Sequence, residues 1–365
     1  MPHEEIGVGS YGCVYRPAFD CIEKPRSKRS YISKIYKNKD AFTYEYKKYQ
    51  DVNLHLIDPE QRFFISNPEE CHINPQMVQQ VKRVTSRCKA QEPFHILNFV
   101  DAGTSLTTLL KDSSLEKDSM ILEALDNIFQ GVNLLHSYGI YHLDIKEDNI
   151  TYIDGVFKLI DFGESSRIND LPDVMVGSPY FIPPEMYFIG RKPSWSFAYV
   201  LKMLGLDFKP EEYPPLDVYK NLSLVEYYHK ADIWALGILL FRLKNFFANT
   251  AVKNAIETLA RKLLILNVKE RPNAEQALNH YRVFLSKINH VQSKAQAKAA
   301  QAQVEQQVPP TIYYLLKSKT RQNQAPFAFK EPFAFKEPFA SKDSMINYSD
   351  VKYLNLKQSI KKKII

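Results

Sequence analysis

Hydrophobic and polar positions fall into two regimes along the chain. The run Tyr31-Ile32-Ser33-Lys34-Ile35-Tyr36 is β-branched and aromatic and predicts a strand, and residues 63–66 and 94–100 predict two more. Between the first two, residues 40–56 carry a helical pattern, with Asp40 placed to cap it. From residue 118 the period changes. Ile121, Leu122, Leu125, Ile128, Val132 and Leu135 recur at three- and four-residue steps, the stripe of a buried amphipathic helix. Residues 232–247, 252–266 and 273–280 repeat that signal, the last beginning after Pro272. A β-rich first hundred residues followed by a mostly helical part predicts an α+β fold of two unlike lobes. It argues against the alternating units of a doubly wound nucleotide-binding sheet. The boundaries fall at residues 1–100 for the small lobe, 101–285 for the larger one and 286–365 for a tail.

The tail has its own composition. Residues 294–301 are Lys, Ala and Gln, as in an exposed single helix, and Pro309 and Pro310 stop it. A hexapeptide then repeats: Pro326-Phe327-Ala328-Phe329-Lys330, Glu331-Pro332-Phe333-Ala334-Phe335-Lys336 and Glu337-Pro338-Phe339-Ala340-Ser341-Lys342. A proline every six residues forbids helix, and three copies are too few for a solenoid, so the segment reads as a disordered linker or a phenylalanine-based docking motif. Net charge is +7, but residues 286–365 hold 14 Lys and Arg against 5 Asp and Glu, a balance of +9 that leaves the first 285 residues at −2. The basicity belongs to the tail, where an acidic partner, nucleic acid or an anionic membrane surface is the kind of contact it would serve.

With 45% hydrophobic and 24% charged residues the chain can bury a core. No apolar run reaches eighteen residues and the N-terminus Met1-Pro2-His3-Glu4-Glu5 is unlike a secretory signal, which predicts a soluble, non-secreted, cytoplasmic protein. Cys13, Cys21, Cys71 and Cys88 are spaced as neither zinc pairs nor a disulfide framework, and reduced thiols are expected.

Only 12 glycines occur in the 365 residues, yet three lie between Gly7 and Gly12. Ile6-Gly7-Val8-Gly9-Ser10-Tyr11-Gly12-Cys13-Val14 has the form G-x-G-x-x-G-x-V, in which bare backbone can approach phosphate oxygens. Strand-like sequence follows it, which disfavours a dinucleotide fold, and no G-K-[ST] ends it, which excludes a Walker A loop. A second cluster, Tyr141-His142-Leu143-Asp144-Ile145-Lys146-Glu147-Asp148-Asn149, packs a carboxylate, an ammonium and an amide oxygen into six residues. An ionised Asp can orient or accept a hydroxyl proton, Lys can neutralise a phosphoryl group in flight, and Asn can offer oxygen to a hard cation. Twelve residues on, Asp161-Phe162-Gly163 closes the apolar run Val156-Phe157-Lys158-Leu159-Ile160 and supplies a second carboxylate for such a cation.

These motifs resemble those of eukaryote-type serine/threonine protein kinases, over residues 1 to about 285. The likeness continues in Gly177-Ser178-Pro179-Tyr180 and Pro183-Pro184-Glu185, similar to the end of an activation segment, in Asp232-Ile233-Trp234-Ala235-Leu236-Gly237, similar to the D-x-W-x-x-G helix, and in Arg271-Pro272. The resemblance implies a bilobal kinase fold, ATP with Mg2+ (or Mn2+) as cofactors, and protein substrates with Ser or Thr acceptors. Carried over position by position, it makes Asp144 the catalytic base and Lys146 the phosphoryl-stabilising residue, with Asn149 and Asp161 as metal ligands. Gly7, Val8, Gly9, Ser10, Gly12 and Val14 would cover the nucleotide. Lys24, Lys28 and Lys37 stand near the strand lysine's place, but only Lys34 lies inside the strand-like run, and Glu45 is its expected partner. Leu97 is the expected gatekeeper and Val100 the adenine contact.

His142 and Trp234 read as structural, Cys13 as an unreactive loop residue, and Glu185 with Arg271 as an architectural ion pair. The chain also departs from the pattern. Leu143 stands where many such kinases have an arginine that reads activation-loop phosphate, so activity without that phosphorylation is expected. Only six residues precede Gly7, which leaves the first strand almost absent, and an insertion spans about 187–230. The spacing and repeats are reminiscent of kinases of large DNA viruses, which would place the protein in host cytoplasm or virion. The competing reading is a catalytically weak scaffold that acts through its insertion and tail.

Overall fold

A computed structural model describes residues 3–307, apart from 10, 23–29, 66, 86, 112–115, 189–201, 203–204, 210–211, 213, 216–217 and 220. Ser10, Lys24, Lys28 and the hexapeptide repeat therefore lie outside the described residues.

The first hundred residues build one antiparallel sheet in the order β1-β2-β3-β5-β4. Its strands are β1 (Glu4–Val8), β2 (Gly12–Arg16), β3 (Tyr31–Tyr36), β4 (Glu69–Glu70) and β5 (Ile96–Val100). β1 exists despite the few residues before Gly7, because pairing Glu4 with Arg16 and Val8 with Cys13 satisfies its backbone, with a bulge between Glu5 and Gly7. Among the described residues 63–65, no strand forms. Phe64 makes only an isolated bridge to Leu159.

Helix α1 (Lys39–Val52) packs on this sheet. Its cap is Asn38 rather than Asp40: the Asn38 side chain accepts the Ala41 N–H at 2.9 Å. The helical pattern of 40–56 breaks at Asn53, whose φ of 50° suits an Asn and separates α1 from the short α2 (Leu54–Ile57). Helix α3 (Val78–Val84), which no strong sequence period announces, closes the other side of the sheet.

The four cysteines are paired, against the expectation of reduced thiols. Cys13 bonds Cys88 and Cys21 bonds Cys71, and no free cysteine remains. Separations of 75 and 50 residues hide these pairs in the sequence, and tertiary folding brings Cys88 to Cys13 on β2 and Cys71 to Cys21, which bridges Ile73 beyond that strand. Cys13 is therefore a structural staple, and the argument from thiols to a reducing compartment falls away.

The helical part begins with the strand β6 (Thr104–Ser105) and α4 (Leu106–Leu110), then α5 (Glu116–Ser137), whose apolar stripe is the centre of the largest core. Strands β7 (Ile140–Tyr141), β8 (Ile150–Ile153), β9 (Val156–Leu159) and β10 (Ser166–Arg167) follow. They form the small sheets β6-β8-β9 and β10-β7, which flank the segment 142–149. Helices α6 (Leu224–Tyr228), α7 (Ala231–Leu243), α8 (Thr250–Leu263) and α9 (Ala274–Gln307) complete it. Tyr281 of α9 stacks on Phe129 of α5 with ring centroids 4.2 Å apart. Trp234 is core, as expected, and the Arg271 guanidinium lies over it. The fold is thus α+β, β-rich before residue 100 and helical after it.

Described parts of the insertion are anchored to this body. Phe208 stacks on Trp234, the Tyr219 hydroxyl donates to the Leu266 carbonyl at 2.9 Å, and the Tyr228 hydroxyl donates to the Val174 carbonyl.

Candidate active site

The glycine-rich turn joins β1 to β2. Gly9 N–H donates to the Gly12 carbonyl at 2.8 Å, and a side chain at Gly12 would run into the Ile35 carbonyl of β3, so glycine is required there. Beneath the turn lies a cleft. Val14, Ile32, Lys34, Glu45, Tyr49, Ile65, Phe99, Val100, Ala102, Ile160, Asp161 and Phe162 line it.

Register explains this lining. Alternate residues of a strand share a face, so Ile32 and Lys34 of β3 point together, and their partners on β5 are Phe99 and Leu97. Phe99, not Leu97, borders the cleft. Leu97 is fully buried between the sheet and α1 with Tyr36 and Phe42, so the gatekeeper expectation is corrected by two residues. Val100 does line the cleft.

Lys34 and Glu45 meet: the ammonium donates to both carboxylate oxygens at 2.7 Å. Burial alone would lower the Lys34 pKa, but the charges of Asp161 and Glu45 outweigh it and raise it, so the ammonium stays charged. Burial likewise works against the Asp161 carboxylate, yet the Lys34 charge and the Gly163 N–H hold its pKa below the ordinary value. Both groups are therefore ionised beside the cleft at neutral pH.

The second cluster converges as the motif requires. Lys146 Nζ donates to Asp144 Oδ2 at 2.7 Å, and the Asn149 amide donates to the same oxygen and to the Asp144 carbonyl, each at 2.9 Å. Asn149 spends its NH2 on Asp144, which leaves its amide oxygen for a cation. With the ionised Asp161 this gives an oxygen donor set suited to a hard divalent ion. Ser178 enters from the far side: its hydroxyl donates to Asp144 Oδ1 at 2.6 Å and accepts from Lys146 Nζ at 2.7 Å. Gly177, at φ 104°, permits this approach.

The loop bearing Asp144 is held from behind. Asp232 of α7 accepts the N–H groups of His142 and Leu143, each at 2.8 Å, and pairs with His136 at 2.9 Å. His142 is wholly buried, with Nε2 against the Ile160 carbonyl, which is the structural role expected of it. Glu185 and Arg271 form a fully buried two-point pair at 2.6 and 2.9 Å. Leu143 packs into an apolar cluster with Tyr141, Ile182, Met186, Tyr227 and Tyr228.

A family model described as protein kinase domain matches residues 2–196, more than half of the chain. The chain belongs to the protein kinase family. Curated relatives that it matches are protein kinases at modest identity. The interferon-induced, double-stranded RNA-activated protein kinase of Rattus norvegicus is 26% identical over 53% of this chain and 36% of its own length. The probable serine/threonine-protein kinase fhkB of Dictyostelium discoideum is 26% identical over 87% of this chain and 26% of its own. Calcium-dependent protein kinase 3 of Plasmodium yoelii yoelii is 25% identical over 77% of this chain and 47% of its own. The kinase thus spans less than half the length of each of these three relatives. Membership implies ATP, a divalent metal and protein substrates.

Sequence reasoning placed Gly7, Val8, Gly9, Gly12, Val14, Lys34, Glu45, Val100, Asp144, Lys146, Asn149 and Asp161, and the structure brings Lys34, Glu45 and Asp161 to one end of the cleft and Asp144, Lys146 and Asn149 to one loop. It missed Ile32, Tyr49, Ile65, Phe99, Ala102 and Ile160. Ile32 could have been found, since it lies two residues before Lys34 on the same strand face. Tyr49 could also have been found, since it lies one helical turn beyond Glu45.

Proposed function

We propose that this chain is an active serine/threonine protein kinase that moves the γ-phosphoryl group of ATP to a protein hydroxyl, with Mg2+ as its metal and Mn2+ as a substitute. The observation that carries the reading is the Ser178 hydroxyl, seated between Asp144 Oδ1 at 2.6 Å and Lys146 Nζ at 2.7 Å. An aliphatic hydroxyl fits between this carboxylate and this ammonium, as a Ser or Thr acceptor must.

In the proposed reaction the acceptor oxygen bonds to the γ-phosphorus while the bond from that phosphorus to the β–γ bridging oxygen breaks. The acceptor proton goes to Asp144, and ADP leaves with the bridging oxygen. Lys146 offsets charge on the phosphoryl group in flight, and Lys34, fixed by Glu45, holds the α- and β-phosphates. The metal, when bound, neutralises phosphate charge, and Asn149 and Asp161 are the residues that would hold it. Catalysis in this reading is positioning and charge neutralisation.

Phosphate transfer from labelled ATP with Mg2+ to casein and basic proteins tests the reading, with Asp144→Ala and Asp161→Asn as controls. Transfer that both variants lose, with label on Ser or Thr, supports it. A folded wild-type chain that transfers no more than the variants would move the assignment to the scaffold reading.

Leu143 supports a further element of the same proposal, activity that does not depend on activation-segment phosphorylation. Apolar packing around Leu143 and the Tyr228 hydroxyl bond to Val174 hold this segment without a phosphate-reading arginine. Phosphatase treatment is expected to leave transfer unchanged; its abolition would refute this element.

A further inference from the structure

The outer face of the small sheet, turned away from the cleft, carries chemistry that the proposed reaction does not use. Ser33 of β3 and Asn98 of β5 stand directly opposite each other, one residue before Lys34 and Phe99 of the cleft, so both point to that outer face. Both are buried. Asn98 Oδ1 accepts the Ser33 hydroxyl at 2.5 Å, and the Asn98 amide donates to the Phe19 carbonyl at 3.3 Å and to Cys21 Sγ at 3.0 Å. The Phe19 N–H donates to Ser33 Oγ at 2.8 Å. Residues 19–21 are thus laced to the two strands whose next residues line the cleft.

Cys21 is also bonded to Cys71, and the two disulfides differ in reach. Cys13 and Cys88 are enclosed among Tyr15, Ile35, Val81 and Ile96. Cys71 is buried as well, but Cys21 is only half-buried. A thiolate exchanges with a disulfide only by reaching one of its sulfurs, so Cys21 Sγ is the point of entry. Backbone bonds beside it, from the Ile22 N–H to the His72 carbonyl at 2.8 Å and from the Cys71 N–H to the Ile96 carbonyl at 3.0 Å, keep the two segments together when the sulfurs part. What changes is the acceptor of the Asn98 amide. A sulfur fixed by its bond to Cys71 becomes a free thiol, and the buried network behind Lys34 and Phe99 loses one of its anchors.

We propose that Cys21 is a thiol–disulfide exchange site for a dithiol reductant, and that the Cys21–Cys71 bond is a redox clasp whose opening weakens nucleotide binding on the other face of the sheet. A thiolate of the reductant attacks Cys21 Sγ, the bond to Cys71 breaks, and its electron pair leaves on Cys71 Sγ, which takes a proton. The reductant's second thiolate then attacks its own sulfur in the mixed disulfide and releases the Cys21 thiolate, which is protonated in turn. The protein gains two electrons and two protons, and the dithiol ends as a disulfide. The exchange stands by itself; its effect on the nucleotide rests on the reading of the cleft as the ATP site.

The test treats the full oxidised chain, under native conditions, with graded dithiothreitol, alkylates free thiols with iodoacetamide and maps them by peptide mass spectrometry. Calorimetry of unalkylated samples measures ATP affinity with Mg2+. Cys21 and Cys71 are expected to label together, roughly tenfold faster than Cys13 and Cys88. Protein with only this bond open is expected to bind ATP roughly fivefold more weakly, and reoxidation with glutathione disulfide is expected to restore the affinity. The double variant Cys21→Ser/Cys71→Ser is expected to bind like the opened protein, with or without dithiothreitol at the concentration that spares Cys13 and Cys88.

Labelling of Cys13 and Cys88 first, or of all four cysteines together, overturns the exchange site. An opened protein with the affinity of the oxidised one overturns the clasp. So does a folded double variant that matches oxidised wild type, and if that variant does not fold, the opened wild type decides alone. Oxidised wild type that binds no ATP overturns the reading of the cleft, while the order of labelling still judges the exchange site.

Discussion

Replacing Asp232 by Asn isolates the device that holds the loop bearing Asp144. The carboxylate has no exposed surface. Its Oδ2 serves His142 N at 2.8 Å and His136 Nε2 at 2.9 Å, and its Oδ1 serves Leu143 N at 2.8 Å. Burial would raise its pKa, but the hydrogen bond from His136 and the His136 charge outweigh burial and keep it ionised. Asparagine turns one oxygen into an NH2. Placed at Oδ2 it would face two partners; placed at Oδ1 it faces only the Leu143 N–H, so the variant settles there. A buried N–H left without an acceptor costs about 1–3 kcal/mol, and the other two bonds lose their ionic character at about 0.5–1 kcal/mol each, for a total of about 2–5 kcal/mol. In a domain of this size that lowers Tm by roughly 5–15 °C. The orphaned group is the N–H of Leu143, which sits at φ 66° directly before Asp144, so kcat falls. KM for ATP stays, because the cleft lining is untouched. Thermal unfolding and steady-state kinetics read both effects. A D232N protein within about 1 kcal/mol of wild type, with kcat unchanged, would refute the reasoning.

Arg271→Met keeps much of the side-chain volume but leaves Glu185 buried without its partner, an expected loss of about 3–5 kcal/mol in urea unfolding; E185Q/R271M should recover part of it, and no recovery would count against the ion-pair account. Denaturation without reductant followed by thiol alkylation should label none of the four cysteines, and all four after reduction; full labelling without reductant would overturn the pairing of Cys13 with Cys88 and Cys21 with Cys71. Burial, then the charges of His136 and Lys230, hold the His229 pKa below 6.5, so the unfolded chain takes up that proton first and stability falls as pH drops below 6.5 until the folded pKa is passed. His229→Gln should flatten this fall in Tm, and an unchanged slope would refute the assignment.

The sequence alone carried the order of motifs, the strand bearing Lys34, the stripe of α5 and the cluster Asp144 to Asn149. These are local: a strand face, a helical period and a six-residue cluster of polar side chains are written in near neighbours. Tertiary structure decided the rest. Cysteines 75 and 50 residues apart pair because the sheet and the segment with α3 close on each other. Phe99 rather than Leu97 borders the cleft because, of these two residues on one face of β5, Leu97 is the one that α1 packs on and buries. Leu143 reads in sequence as a missing arginine and in the fold as part of an apolar cluster drawn from residues 141–268. The hydroxyl of Tyr49 meets Phe162 across 113 residues. Such contacts depend on how elements distant in the chain pack, which the local pattern of hydrophobic and polar residues does not encode.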